Sequence, residues 1–213
     1  MTSRRRTGTA WHGSEAHFGA ACCTASARAL FVCQPDPGTM EMSEALEYLV
    51  RAVLIGVGAT AFMDVAAAAR KRLFSIPSSD YALVGRWLAY LACGRFRHDP
   101  IAASPPVRSE HLIGWTAHYL IGIALATLLL AIWGLDWTCR PTMAPALIVG
   151  IGSVAAPFLL MQPGMGAGIA ASRTPRPALA RLRSLVTHAL FGVGLYVAGS
   201  IISFWCRSFW CRV

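Results

Sequence analysis

Formal charge is scarce in this chain: only 14% of its 213 residues are Asp, Glu, Lys or Arg. Three stretches have none at all, Leu112–Leu135, Thr142–Ser172 and Ser184–Cys206. A fourth, Ala52–Ala69, carries one charge, Asp64. A spanning helix needs about 20 mostly apolar residues to cross a ~30 Å hydrocarbon core. No soluble domain of this size needs four such runs, and a mean hydropathy of +0.51 disfavours a soluble or disordered chain. Motifs that carry chemistry are missing too. There is no G-x-S-x-G, P-loop, H-E-x-x-H or Rossmann glycine motif. The seven cysteines, Cys22, Cys23, Cys33, Cys93, Cys139, Cys206 and Cys211, form no C-x-x-C and no zinc spacing. No metal site and no cofactor is expected. Cys206 and Cys211 could pair only outside the cytoplasm; free thiols near a membrane surface are the plainer reading.

What charge there is lies in clusters. The formal net charge is +9, which by itself suggests nucleic acid. Yet 7 of the 19 Lys and Arg fall between Arg70 and Arg108 and 4 between Arg173 and Arg183, against Arg140 alone in the Asp136–Pro141 turn. Basic loops beside apolar runs are what the positive-inside rule produces. They read as orientation signals, so no nucleic-acid partner is expected.

The runs predict an all-α transmembrane bundle with spans at about 46–69, 111–133, 143–161 and 184–205. Residues 1–41 are polar and aperiodic. Arg4-Arg5-Arg6 lacks the apolar region of a secretion signal, and Gly19-Ala20-Ala21-Cys22 lacks the aliphatic residue of a lipoprotein site. This segment is expected to be disordered, or to precede a true start at Met40 or Met42. Span 1 runs inward and stops at Arg70-Lys71-Arg72. The bacterial inner membrane is the expected location, with the basic loops cytoplasmic and both termini outside. Residues 207–213 form a short tail. Asp80–Ala92 is apolar around Arg86 and too short to span. It predicts an amphipathic helix lying on the inner surface, with a re-entrant segment as the alternative. Gln162-Pro163-Gly164 should loosen the inner end of span 3.

Spans 2 and 4 share H-x-L-x-G-x-x-L, or H-x-x-x-G at its core, from His118 and His188. Spans 1 and 3 share a G-x-G, Gly56-Val57-Gly58 and Gly150-Ile151-Gly152. The chain thus reads as two parallel copies of a helical hairpin, with close helix packing by small residues as the competing explanation.

Ionisable groups inside a membrane are costly and often functional. Asp64, His118 and His188 fall within two to three turns of the inner surface, and Gln162 at a similar level. One polar group per span makes an inward-facing site that could relay protons; simple hydrogen bonding between helices is the alternative. Arg86, Arg95, Arg97 and His98 on the first loop, with Arg173 and Arg176 on the second, could hold a phosphate or lipid head group.

Asp80-Tyr81-Ala82, Val84-Gly85-Arg86-Trp87, Gly94-Arg95-Phe96-Arg97-His98, Gln162-Pro163 and Ser172-Arg173-Thr174-Pro175 together resemble a bacterial membrane family catalogued as domain of unknown function 2938. The resemblance covers about Glu47 to Ser203. It implies a small inner-membrane protein of about four spans and carries no activity or catalytic residue. Three functions are therefore open: a small transporter or channel-like protein, a membrane enzyme acting on a lipid or phosphorylated substrate at the cytoplasmic face, or an accessory subunit. The lipid bilayer is the expected partner. A homo-oligomer suits a channel, since four helices enclose little pore.

Overall fold

The computed structural model describes residues 37–77 and 79–206. The expectations for the segment up to residue 36, for Cys22, Cys23, Cys33 and Cys211, for the Cys206 side chain and for 207–213 lie outside what it describes. The chain divides at Glu44 and Ala45 into two units, and the account below concerns the second.

The architecture is all-α, and no strand occurs among the described residues. Helix α1 spans Pro37–Phe74, α2 Tyr81–Ala92, α3 Glu110–Trp133, α4 Asp136–Cys139 and α5 Met143–Gly152. A π-turn at Pro157–Met161 joins α5 to the short α6, Gln162–Gly164, and α7 spans Pro177–Cys206. Four helices are long and apolar enough to cross a membrane: Glu44–Phe74, Glu110–Trp133, Met143–Gly164 and Pro177–Trp205.

Helix ends differ from the expected ones for local reasons. α1 begins at Pro37, within the stretch read as a tail, and proline suits a first turn. It continues past Arg70-Lys71-Arg72 to Phe74, because cations are favourable at a helix C-terminus. α7 begins at Pro177, so Arg181 and Arg183 lie on a helix and not in a loop. Span 3 breaks earlier than Gln162. Pro157 has no N–H to give and crowds the carbonyl of Ser153. The helix widens there, and the Gln162 N–H bonds the carbonyl of Pro157, five residues back.

Glycines close the bundle. A Cβ on Gly56 would strike the backbone of Gly122 and Ile123, and one on Gly150 would strike Gly192 and the His188 carbonyl. The first glycine of each G-x-G thus meets the glycine of each H-x-x-x-G, which gives the two hairpins the same seam. The tetrapeptide Ile-Ala-Ala-Ser also stands before both α3 and α7, forming short 3-10 turns at Ile101–Ala103 and Ile169–Ala171. α1 reaches across to the second hairpin, where Gly194 packs on Ala59 and Phe62. Ile55, Leu129, Leu130 and Leu195 are fully buried at the centre.

Candidate functional site

Asp64 is set by its place on α1. Gly56, Thr60 and Asp64 recur every four residues, so they share one helix face, and that face meets α3. Gly122 comes so close that a Cβ there would strike the Thr60 hydroxyl, which donates to the Gly56 carbonyl at 2.8 Å. One turn further in, Asp64 meets the two side chains that α3 offers at that level. His118 Nε2 lies 3.0 Å from Asp64 Oδ1, and the Tyr119 hydroxyl donates to Asp64 Oδ2 at 3.2 Å. The His118 and Asp64 side chains are 12% and 20% exposed. The carboxylate is therefore shared by a ring nitrogen and a phenol, and an ionised carboxylate makes strong hydrogen bonds to both.

A third element completes the site. α2 starts at Asp80, whose Oδ1 accepts from the Ala82 N–H at 2.9 Å. Gly85 sits against the Glu110 carbonyl and Gly114, and the Tyr81 carbonyl against Gly114, so α2 runs antiparallel along the first turns of α3. The two glycines let the backbones touch. This brings the Tyr81 ring onto His118 in a stack, centroids 4.3 Å apart. Trp115 lies 5.8 Å from His118 and 4.7 Å from Tyr81. Burial, and then the Asp64 carboxylate that it faces, push the Tyr81 phenol well above its ordinary range. It stays protonated and remains a donor.

His188 and Gln162 do not join this site. The His188 Nδ1 donates to the Ser184 carbonyl one turn back, at 2.8 Å. Gln162 Nε2 is 3.5 Å from Ser184 Oγ, and its buried Oε1 has no partner. Both therefore belong to the second hairpin, around Ser184.

The loop arginines also separate. Arg86 forms a two-pronged pair with Glu110, Nε to Oε2 at 2.8 Å and Nη2 to Oε1 at 2.9 Å. Its Nη1 donates to the carbonyls of Ser104 and Ala102. The hydrogen bonds to Glu110 raise the Arg86 pKa above its ordinary value, so its charge is secure. His98 is buried between Ser104 Oγ and the Arg95 carbonyl. Neither presents an open anion contact. Arg95 lies over the Tyr90 ring, 5.7 Å from its centroid, and Arg97 is exposed. Arg173 pairs with Asp99 at 3.2 Å on the surface. Arg176 lines an open concavity with Thr174, Leu179 and Arg183.

Two features escaped the reading of the sequence. Tyr81, Trp115 and Tyr119 were missed although Tyr119 follows His118 directly and Trp115 precedes it by one turn. Arg51 was missed although it falls inside the span expected at 46–69, one residue before the Ala52–Ala69 run. It is 4% exposed in the first half of α1, paired with Glu47 one turn earlier and bonded to the Thr138 hydroxyl. An i,i+4 Glu-Arg pair was the available signal.

A family model described as protein of unknown function (DUF2938) matches residues 53–202. No curated protein and no solved structure matches.

Proposed function

We propose, for a chain that belongs to the DUF2938 family of proteins of unknown function, that it is a small membrane transporter that binds a proton at Asp64 and His118. The carrying observation is the 3.0 Å contact between Asp64 and His118 across two helices that are both apolar enough to span. A charge inside a span is costly, most so at its centre, and here it faces an imidazole and not lipid.

The orientation that goes with this reading places the basic loops in the cytoplasm, across a bacterial inner membrane, with both ends of the chain outside. Two observations support it. Of the 19 Lys and Arg, 7 fall between Arg70 and Arg108 and 4 between Arg173 and Arg183, against Arg140 alone in the Asp136–Pro141 turn. Cys93, beside the basic loop, is an exposed free thiol. A second reading, an accessory subunit without a site, draws on the closed apolar core around Ile55, Leu129 and Leu195. The enzyme reading loses ground, because Arg86 is spent on Glu110.

Proton binding is tested by a pH titration of Trp115 emission, taken as the difference between the protein and its Trp115→Phe variant. A protonated imidazole 5.8 Å away should quench Trp115. The titration step should vanish in His118→Gln. A flat profile in the parent protein would leave the accessory reading as the better one.

A further inference from the structure

We infer that the cargo of this site is an organic cation, a protonated amine or a quaternary ammonium, and that the His118 imidazolium is its built-in stand-in. The inference rests on the transporter reading and names its substrate class. A structural Asp–His hydrogen bond needs one partner. This one has aromatic walls as well. The Tyr81 ring stacks on His118 at 4.3 Å, while Tyr119 and Trp115 make edge-type contacts with it at 5.5 and 5.8 Å, planes at 81° and 75°. The walls also contact each other: Tyr81 to Trp115 at 4.7 Å, Trp115 to Tyr119 at 6.3 Å. Rings within about 6 Å of a cation attract it through their quadrupoles, and such cages recognise quaternary ammonium groups. A carboxylate beside the cage supplies the counter-charge and repels anions.

Other cargoes fit less well. A hard metal cation takes about six to eight oxygen ligands. Among the described residues there is no group of three His, Cys, Asp or Glu that could hold a metal. A neutral solute would leave the Asp64 charge unmatched in an apolar setting.

The exchange balances in charge. With His118 protonated, its ring fills the cage and Asp64 holds it. When an organic cation arrives, the imidazole swings out, Asp64 pairs with the newcomer, and His118 gives one proton to water. Asp64 keeps one positive partner throughout, so a monovalent cation exchanges for one proton. The groups that face His118 are Asp64 from α1, Tyr81 from α2 and Tyr119 from α3. Both phenols are neutral donors, so the carboxylate alone sets the charge.

The probe is benzyltrimethylammonium, titrated calorimetrically into the purified full-length protein in detergent. A weakly buffered pH indicator records protons released. Binding should release one proton per probe and weaken by up to about tenfold for each unit of acidification, the limit of one-for-one linkage. Asp64→Asn and Tyr81→Leu should each abolish or strongly weaken it, while Tyr81→Phe, which keeps the ring face, should retain it. Tyr81 lies outside the spanning helices, so this pair decides the matter even where Asp64→Asn fails to fold. No binding, or equal binding in Tyr81→Leu, overturns the cargo assignment. If the Trp115 titration persists in that case, proton binding stands without this cargo. If both are absent, both readings fall.

Discussion

Nε2 of His118 lies 3.0 Å from Oδ1 of Asp64, across 54 residues of sequence and between two different helices. The two groups satisfy each other where neither could turn to water at low cost. Removing one partner leaves the other buried and unpaired, which costs about 1–3 kcal/mol. Asp64→Asn keeps an oxygen and a donor at the site, whereas Asp64→Leu keeps neither. The Asn variant should melt closer to the parent protein than the Leu variant in detergent. A Leu variant as stable as the parent would show that the pair does not hold α1 to α3.

The two glycine seams predict a matched pair of stability losses. Gly56→Ala and Gly150→Ala each place a methyl group against facing backbone, which side chains cannot relieve. Overpacking of this kind costs typically about 1–3 kcal/mol. Gly152 offers a control on the same helix as Gly150, since a Cβ there meets nothing within 4 Å. Gly152→Ala should leave thermal unfolding unchanged or slightly improved. Equal losses at all three positions would mean that helix contact is not what the glycines provide.

Arg86 ties α2 to α3 by geometry as well as charge. Its fork reaches both oxygens of Glu110, and its remaining nitrogen reaches two loop carbonyls. A lysine has one point charge and cannot repeat that pattern. Arg86→Lys should therefore behave like Arg86→Gln, with faster proteolysis in the 94–108 loop at a fixed protease dose. Full protection in the lysine variant would reduce the pair to simple charge attraction.

Sidedness can be read from one thiol. A variant retaining Cys93 alone should resist a membrane-impermeant maleimide in intact spheroplasts and react once the membrane is opened. Cys93 is exposed, so access is limited only by the bilayer. Labelling of intact spheroplasts would invert the proposed orientation.

The sequence by itself determined the spans. Transfer of a segment into hydrocarbon depends on its own residues, so three charge-free runs and a fourth with Asp64 as its one charge mark the four apolar helices. The glycine seam that the two hairpins share was foreshadowed in His118/Gly122 and His188/Gly192. Which histidine meets Asp64 was not legible, because His118 and His188 sit in near-identical local sequence. That choice was made by packing: α1 lays its Gly56–Thr60–Asp64 face on α3, while His188 turns to its own Ser184. The same holds for the arginines. Arg86 and Arg97 carry the same charge, yet one is locked by a carboxylate 24 residues away and the other is exposed. Partners that distant in sequence meet only after the helices have packed, and backbone contact at Gly85 and Gly114 decides which side chains end up face to face.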